Sequence, residues 1–367
     1  MEKSAKIFIA GHKGMVGSAI WKNLKNNGFT NLFGRSSQEL DLSNQKSVER
    51  FFKKEKPEYV FLAAAKVGGI KANNKFRAEF IYNNLQIQNN IIHQSYLSGV
   101  KKLLFLGSSC IYPRDSQQPM KEEYLLTGEL EKTNEPYAIA KISGIKMCES
   151  YNMQYGTNFV SIMPTNLYGP NDNFDLETSH VLPALIRKIH LGKLLEETNL
   201  ERIKNTVYAD HFKNETNNNE PEKIEKILER FGITVSKNFK IEKSSFQPVS
   251  ITLWGTGEPL REFLHVDDLA KACSFVMNNI DSNYLIKNKI THINIGSNDE
   301  IKIKELARLI KKIIGFNGQL KFDNSKLDGT PRKLLDCSRL VKCGWEKSIQ
   351  LNEGIISTYD WYKTRSL

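Results

Sequence analysis

The chain has 367 residues, 40% of them hydrophobic and 25% charged, ordinary globular composition for one large core with a smaller lobe. The net charge of +11 calls for an anionic partner, but the Lys and Arg residues are scattered, without zinc-finger spacing, RRM signature or Arg-rich arm, which argues against nucleic acid. Five cysteines without a Cys-x-x-Cys spacing indicate neither a disulfide framework nor a zinc site, and no apolar run approaches the roughly 20 residues of a membrane span. The N-terminus lacks the apolar region and cleavage site of a signal peptide, so no membrane, no metal and a cytoplasmic location are expected.

The first half alternates strands and helices in the manner of an α/β fold, a Rossmann-type doubly wound parallel sheet. Residues 6–10 (Lys-Ile-Phe-Ile-Ala) predict a buried strand, followed at once by Gly11, Gly14 and Gly17 and a helix over 15–26. Such glycines permit a tight turn, close approach of backbone to a pyrophosphate, and tight packing of helix on sheet, while the helix aims its first amides at the phosphates. A short strand over 31–33 leads into Gly34 and Arg35. No acidic residue stands there to grip a ribose 2'-hydroxyl, whereas Lys13 and Arg35 can meet a 2'-phosphate, which favours NADP over NAD. Asp41 either reaches the adenine end of the nucleotide or caps a turn.

A helix over 47–56, ended by Pro57, precedes a strand over 59–63 and a loop over 64–70 on the side where such sheets bind ligands. Residues 80–97 form a long helix with a mixed polar and apolar stripe, suited to packing on a second subunit. The strand over 102–107 runs directly into Ser108, Ser109 and Cys110. Ser108 is placed either to hydrogen-bond a substrate carbonyl or to cap its own loop. Cys110 sits in the same strand-end loop and, with an ordinary thiol pKa of about 8.5, needs modest help to act as a base.

Asn134-Glu-Pro-Tyr-Ala-Ile-Ala-Lys141 opens the next helix with Pro136, and Tyr137 and Lys141 fall four residues apart on one face. An ammonium beside a phenol favours the phenolate and makes the phenol a better acid, as a carbonyl reductase needs. A strand over 159–163 leads to a loop in which Asn166 is placed to bind cofactor or substrate. Residues 172–180 carry almost no secondary-structure signal, and His180, at the start of a helix over 181–188, reads as exposed or ligand-facing rather than core.

The expected division is a dinucleotide-binding domain over 1–182, to which some later segments return, and a smaller lobe over 183–367. Within the lobe, 193–246 forms a polar insertion: 213–220 is too polar to pack well, and 221–231 predicts an amphipathic helix. Trp254 ends a strand before a tight turn at Gly257, and is equally suited to a cleft rim or to core. Arg261 can pair with a diphosphate. Asp267 or Asp268 is expected to cap a helix reaching 277. A strand over 292–296, a helix over 303–314, a strand over 320–322 and the polar loop 328–333, with Arg332 and Lys333 adjacent, complete the lobe. Cys337 and Cys343 read as packing residues, and Trp345, Trp361 and Tyr362 as the seal of the small lobe.

Residues 11–20, 103–120, 134–151, 163–173, 261–268 and 328–336 together resemble the GDP-L-fucose synthase family, the 3,5-epimerase/4-reductases among the extended short-chain dehydrogenase/reductases. Membership of the reductases rests on Tyr137, Lys141, Ser108 and the glycine loop; the narrower likeness rests on Ser-Ser-Cys-Ile-Tyr-Pro, His180 and the C-terminal motifs. The insertion lies outside it. The resemblance implies Cys110 as base and His180 as acid in epimerising carbons 3 and 5, with Ser108, Tyr137 and Lys141 serving reduction. It implies NADP(H) held by Gly11, His12, Lys13, Gly14, Met15, Val16, Gly17, Arg35, Asp41, Leu42, Ala64, Pro164, Asn166, Leu167 and His180 together with Tyr137 and Lys141. A GDP-linked deoxy-ketosugar would meet Ser108, Ser109, Cys110, Asn166, Lys188, Trp254, Arg261, Asp328 and Arg332; at 188 the family's arginine is replaced by lysine, which keeps the charge and loses the bidentate fork. A homodimer through the long helices is implied as well. The alternatives are a reductase or epimerase/reductase acting on a GDP-6-deoxy-4-keto-heptose, and a non-catalytic nucleotide-binding regulatory protein.

Overall fold

The computed structural model describes residues 1–211, 221–235 and 249–365. The chain forms two compact units, one of residues 1–172, 262–300 and 333–349, the other of residues 173–261, 301–332 and 350–367.

The first unit is built on six strands in the order Ile293–Ile295, Phe159–Pro164, Lys102–Leu106, Tyr59–Leu62, Ile7–Ala10 and Leu32–Phe33. Every pairing in it is parallel. The central strands are near-continuous apolar runs because a parallel sheet is covered on both faces. One cluster, including Ile9, Ile20, Leu104, Val160 and Val276, fills one face, and another, including Phe8, Phe52, Val60, Ile91 and Phe105, fills the other. The chain order reverses between Ile7–Ala10 and Tyr59–Leu62, so a crevice for ligands is expected at the carboxyl ends of those two strands.

The helix Val266–Asn279 is held at both ends by unexpected groups. Its first turn is capped by the imidazole of His265, which accepts from the Asp267 amide at 3.2 Å, so neither aspartate is the cap. Asp268 instead accepts from the amides of Ser348 (2.9 Å) and Ile349 (2.7 Å), anchoring that later segment. At the other end the buried Lys102 ammonium donates to the carbonyls of Val276 (3.0 Å), Met277 (2.9 Å) and Ile280 (2.6 Å). Trp345, expected in the small lobe, packs in the first unit's core.

The second unit is built on a three-stranded sheet in which Val249–Trp254 lies between Gln319–Asp323, parallel to it, and Ile233–Val235, antiparallel. The helix Val181–Glu196 packs on this sheet together with Ile303–Ile314. The 193–246 segment supplies the helix Pro221–Arg230, expected from its pattern, and two elements that were not: the helix Leu200–His211 and the edge strand Ile233–Val235. The expectation for 213–220 falls outside the described residues. Phe174 stacks on Trp361 and Tyr362 in this unit.

Among the described residues no helix is long and apolar enough to cross a membrane. Lys102→Met should leave three carbonyls at the end of Val266–Asn279 without their donor and lower the unfolding free energy by about 3 kcal/mol. Denaturant titration checks this, and an unchanged midpoint would show that the ammonium is dispensable.

Candidate active site

The crevice opens on the Gly11 turn. Gly11 adopts φ +85°, and a Cβ there would fall 2.8 Å from the Ala64 amide, so only glycine lets the ends of the two neighbouring strands meet this closely. A Cβ on Gly17 would fall 2.1 Å from the Gly11 carbonyl, so the helix Met15–Asn26 lies directly against the turn. That helix starts from Gly14 with no side chain on its first amides. A glycine cradle before uncapped helical amides fits a dinucleotide pyrophosphate. Lys13 is exposed and pairs with no carboxylate among the described residues, leaving it available to a phosphate. His12 packs against Gly34 and is held below its usual pKa, first by burial and then by Lys13.

The other proposed cofactor contacts have local roles. Arg35 pairs with Glu55 at 3.0 Å and donates to its neighbour's carbonyl at 2.9 Å. Asp41 accepts from the Ser43 amide (2.9 Å) and hydroxyl (2.6 Å), while Asn44 caps the helix Gln45–Glu55. The Leu42 carbonyl accepts from Asn90 at 2.9 Å, and Asn166 donates to the Glu262 carbonyl at 2.9 Å. Leu167 packs on the core, and Pro164 ends its strand.

Beside this crevice stand Ser108, Cys110, Tyr137 and Lys141, all in the first unit. The helix Glu135–Tyr155 begins with Pro136 in its first turn, as the sequence indicates, and the buried Lys141 ammonium donates to the Leu106 carbonyl at 2.7 Å. It lies 4.9 Å from the Phe105 ring centre and 5.8 Å from that of Tyr137. Burial lowers its pKa to about 8, with Cys110 acting in the opposite direction.

The Tyr137 phenol is held well above its ordinary value, first by burial and then by the Cys110 sulfur, with the Ser108 hydroxyl drawing it back. This is the reverse of the acidification expected from Lys141, because desolvation of the phenolate outweighs an ammonium already engaged by a carbonyl. A phenol so held keeps its proton at neutral pH and is a donor to an alkoxide forming beside it.

Ser108 is extended and caps the short turn Ser109–Ile111, its hydroxyl accepting from the Cys110 amide at 3.5 Å. Cys110 is 6% exposed. Burial pushes its thiol up, while Lys333, Ser108 and Lys141 pull it down in that order. Lys333 therefore acts on Cys110, a role that adjacency to Arg332 did not reveal. Sequence reading also missed what holds this loop: the Tyr112 hydroxyl bonds His292 (2.7 Å) and Asn294 (2.5 Å), and Glu122 accepts from the Asn294 amide at 3.1 Å. All four are buried, and their one sequence signal is Tyr112 beside Pro113.

The remaining residues lie in the second unit. His180 caps the helix Val181–Glu196 through its backbone only, leaving the imidazole free, and desolvation lowers its pKa. Lys188 is half-buried, and desolvation alone lowers its pKa; it pairs with no carboxylate among the described residues. Trp254 is 68% exposed, with the Lys326 ammonium 5.9 Å from its ring centre, which settles it as surface rather than core. Arg261 is half-buried; a Cβ on Gly329 would fall 3.1 Å from its guanidinium, and burial lowers its pKa against the pull of Asp328. Asp328 accepts from the Thr256 amide (2.9 Å) and hydroxyl (2.6 Å), so it shapes the loop after Trp254. Arg332 is half-buried in the same unit.

Lys141 gives the site a pH limit. Loss of its proton near pH 8 should remove the ammonium beside Tyr137, so turnover should fall on the alkaline side with that apparent pKa. A rate profile that stays flat to about pH 10, the ordinary lysine value, would show that the charge is not required.

The description of the family that matches this sequence is the NAD-dependent epimerase/dehydratase family, over residues 7–212 and 205–296, two blocks that join inside the 193–246 segment. GDP-L-fucose synthase 1 of Arabidopsis thaliana is 50% identical over 98% of this chain and 94% of its own. A solved GDP-6-OMe-4-keto-L-xylo-heptose reductase from Campylobacter jejuni is 47% identical over 100% of this chain and 99% of its own, with a TM-score of 0.90. A GDP-mannoheptose C4 reductase from the same organism, with NADP bound, is 47% identical over 99% of each chain, with a TM-score of 0.83.

Proposed function

The chain belongs to the NAD-dependent epimerase/dehydratase family, and from that premise we propose that it converts GDP-4-keto-6-deoxy-D-mannose to GDP-L-fucose by epimerising carbons 3 and 5 and then reducing the 4-keto group. The observation that carries this reading is the thiol of Cys110 buried beside Ser108, Tyr137 and Lys141. A 4-keto reductase needs the last three; a sulfur base with a cation acting on it is what proton abstraction at the neighbouring carbons adds.

NADP(H) is the cofactor; the Gly11–Gly17 turn would hold its pyrophosphate and Lys13 its 2'-phosphate, joined by Arg35 if that side chain leaves Glu55, and in its reduced form it would supply the hydride for carbon 4. The ketone makes the protons on carbons 3 and 5 acidic, because the resulting charge rests on oxygen. Cys110 removes those protons as a thiolate; burial raises its pKa, and the pull of Lys333, Ser108 and Lys141 offsets part of that rise. The Ser108 hydroxyl and the Tyr137 phenol hold the developing oxyanion in each epimerisation. Tyr137, kept protonated by burial, then gives its proton to the carbon-4 oxygen as the ketone is reduced. His180, with no hydrogen bond from its ring to the helix it caps, returns protons to carbon as the acid in its imidazolium form, which burial disfavours and the anionic GDP-sugar favours. Lys188, Arg261 and Arg332 serve the diphosphate, and the exposed Trp254 offers a face to the nucleotide.

The likeness to the two Campylobacter heptose reductases favours a second reading, a GDP-6-deoxy-4-keto-heptose as substrate. One experiment separates them. The protein is incubated with NADPH and GDP-4-keto-6-deoxy-D-mannose in deuterated water, and the product is identified by NMR. GDP-L-fucose labelled at carbons 3 and 5 is expected; reduction without inversion would move the heptose ahead, and binding without turnover of either sugar would favour a regulatory protein. Cys110→Ser should abolish the label with cofactor affinity unchanged, and Tyr137→Phe should slow hydride transfer by about 10²–10⁴-fold.

We also propose a homodimer through the helices Arg77–Leu97 and Glu135–Tyr155, which pack together and leave Tyr82, Leu97, Ile139, Met153 and Tyr155 exposed. Met153→Glu should convert the dimer to monomer in light scattering; a wild-type protein that is already monomeric would end this reading.

A further inference from the structure

The second unit contains a cavity of about 240 Å³ that none of the proposed substrate contacts lines. It is enclosed by the ends of three helices: the last turns of Val181–Glu196, the first turns of Leu200–His211 and the C-terminal part of Leu351–Arg365. Lys193, Arg202 and Lys363 bring three positive charges to its wall, and Glu197 brings one negative charge. His190, Thr206 and Tyr359 add an imidazole and two hydroxyls.

Much of this polar lining is fixed in place. The Lys193 ammonium donates to the Ile314 carbonyl at 2.9 Å and stands 3.8 Å from Glu197. Lys363 pairs with Asp360 at 2.9 Å and lies 4.9 Å from the Tyr359 ring centre. The Tyr359 hydroxyl and the His190 Nδ1 are 3.0 Å apart, both groups being buried. The Thr206 hydroxyl donates to the Arg202 carbonyl at 2.8 Å, so its proton is already engaged. The Arg202 guanidinium makes no hydrogen bond or ion pair among the described residues.

We propose that this cavity binds a dianionic phosphate group, free or carried by a small phosphate ester, between Lys193, Arg202 and Lys363. Lys193 and Lys363 are each paired with a carboxylate, so Arg202 supplies the unpaired positive charge, and its planar fork is shaped for phosphate oxygens. The volume equals about eight waters at about 30 Å³ each, enough for phosphate on a short carbon chain and less than most drug-sized pockets. His190 is buried beside these groups, and burial first, then Arg202, Lys193, Lys363 and Arg187, depress its pKa to about 4. Neutral His190 orients the Tyr359 hydroxyl rather than adding charge. Arg202 and Thr206 come from the helix Leu200–His211, so the 193–246 segment completes this site.

The test uses the full chain with NADP⁺ and GDP in excess, so that nucleotide-phosphate sites are filled. Inorganic phosphate and glycerol 3-phosphate are titrated separately at constant ionic strength, with chloride as the balancing anion, into wild type and the R202Q/K363Q variant. Both altered side chains are exposed at the cavity mouth, so the variant is expected to fold and to turn over at the wild-type rate. At least one probe should bind the wild type, with a Kd raised tenfold or more in the variant; which probe binds more tightly identifies the ester or the free ion as ligand. Binding should also raise the His190 pKa, read from its imidazole proton by NMR. Equal affinities in the two proteins, or no binding of either probe to the wild type at millimolar concentration, would overturn the assignment.

Discussion

The buried ammonium of Lys141 constrains the first unit more than any other single group. A charge removed from water costs several kcal/mol unless it is well hydrogen-bonded, and here the partner is the Leu106 carbonyl at the end of a central strand. That bond requires the helix Glu135–Tyr155 to lie directly on the strand end. Gly144 makes the approach possible, since a Cβ there would fall 2.4 Å from the Phe105 ring. Once helix and strand are so joined, Tyr137 stands one turn before Lys141, and the chain leaving the strand must pass beside both as Ser108 and Cys110. Cys110, Tyr137 and Lys141 thus share one desolvated environment that moves the pKa of each away from the charged form.

A second buried network holds the same loop from the opposite end. Tyr112, His292, Asn294 and Glu122 tie the segment after Cys110 to the edge strand Ile293–Ile295. Burial raises Glu122 to about 7 against the pull of the Asn294 amide and Arg339, and lowers His292 to about 3. A neutral His292, and a Glu122 that is about half protonated near neutral pH and faces Arg339 when ionised, let this network sit in the core without an isolated charge. The Cys110 loop is therefore fixed between two polar anchors rather than by apolar packing alone, which is the kind of support a reacting group needs to keep its geometry.

What the sequence makes legible is what repeats or turns. Strand and helix alternation, the Gly11 turn and the Pro136 helix start all follow from local pattern, and each is in place. The helix Pro221–Arg230 follows from Ile224 and Leu228 recurring on one side. What is not legible depends on distant partners. Nothing near Lys102 in sequence points to carbonyls at Val276–Ile280, and nothing near His265 shows that its ring, rather than Asp267 or Asp268, caps the next helix. The acidification expected for Tyr137 failed for the same reason: spacing gives the distance to Lys141 and says nothing about burial. The strand Ile233–Val235 is three residues long, too short for its period to register, and exists because Val249–Trp254 offers it an edge.

The net positive charge divides into two populations with different physical meanings. Arg35, Lys6 and Arg339 stand against Glu55, Glu122 and Glu123, and such pairs position elements with little net effect on stability. Lys13, Lys188 and Arg202 have no such acid among the described residues. An exposed lysine without a partner is ordinary, but Lys188 is half-buried, and a cation kept there without an acid carries a desolvation cost that an incoming anion removes. Around His190, burial first and then the nearby cations lower the imidazole's pKa to about 4, and of those cations Arg202 has no acid partner among the described residues. Unpaired charge in a partly desolvated position is thus a sharper indicator of anion binding in this chain than the total of +11, which counts the structural pairs equally.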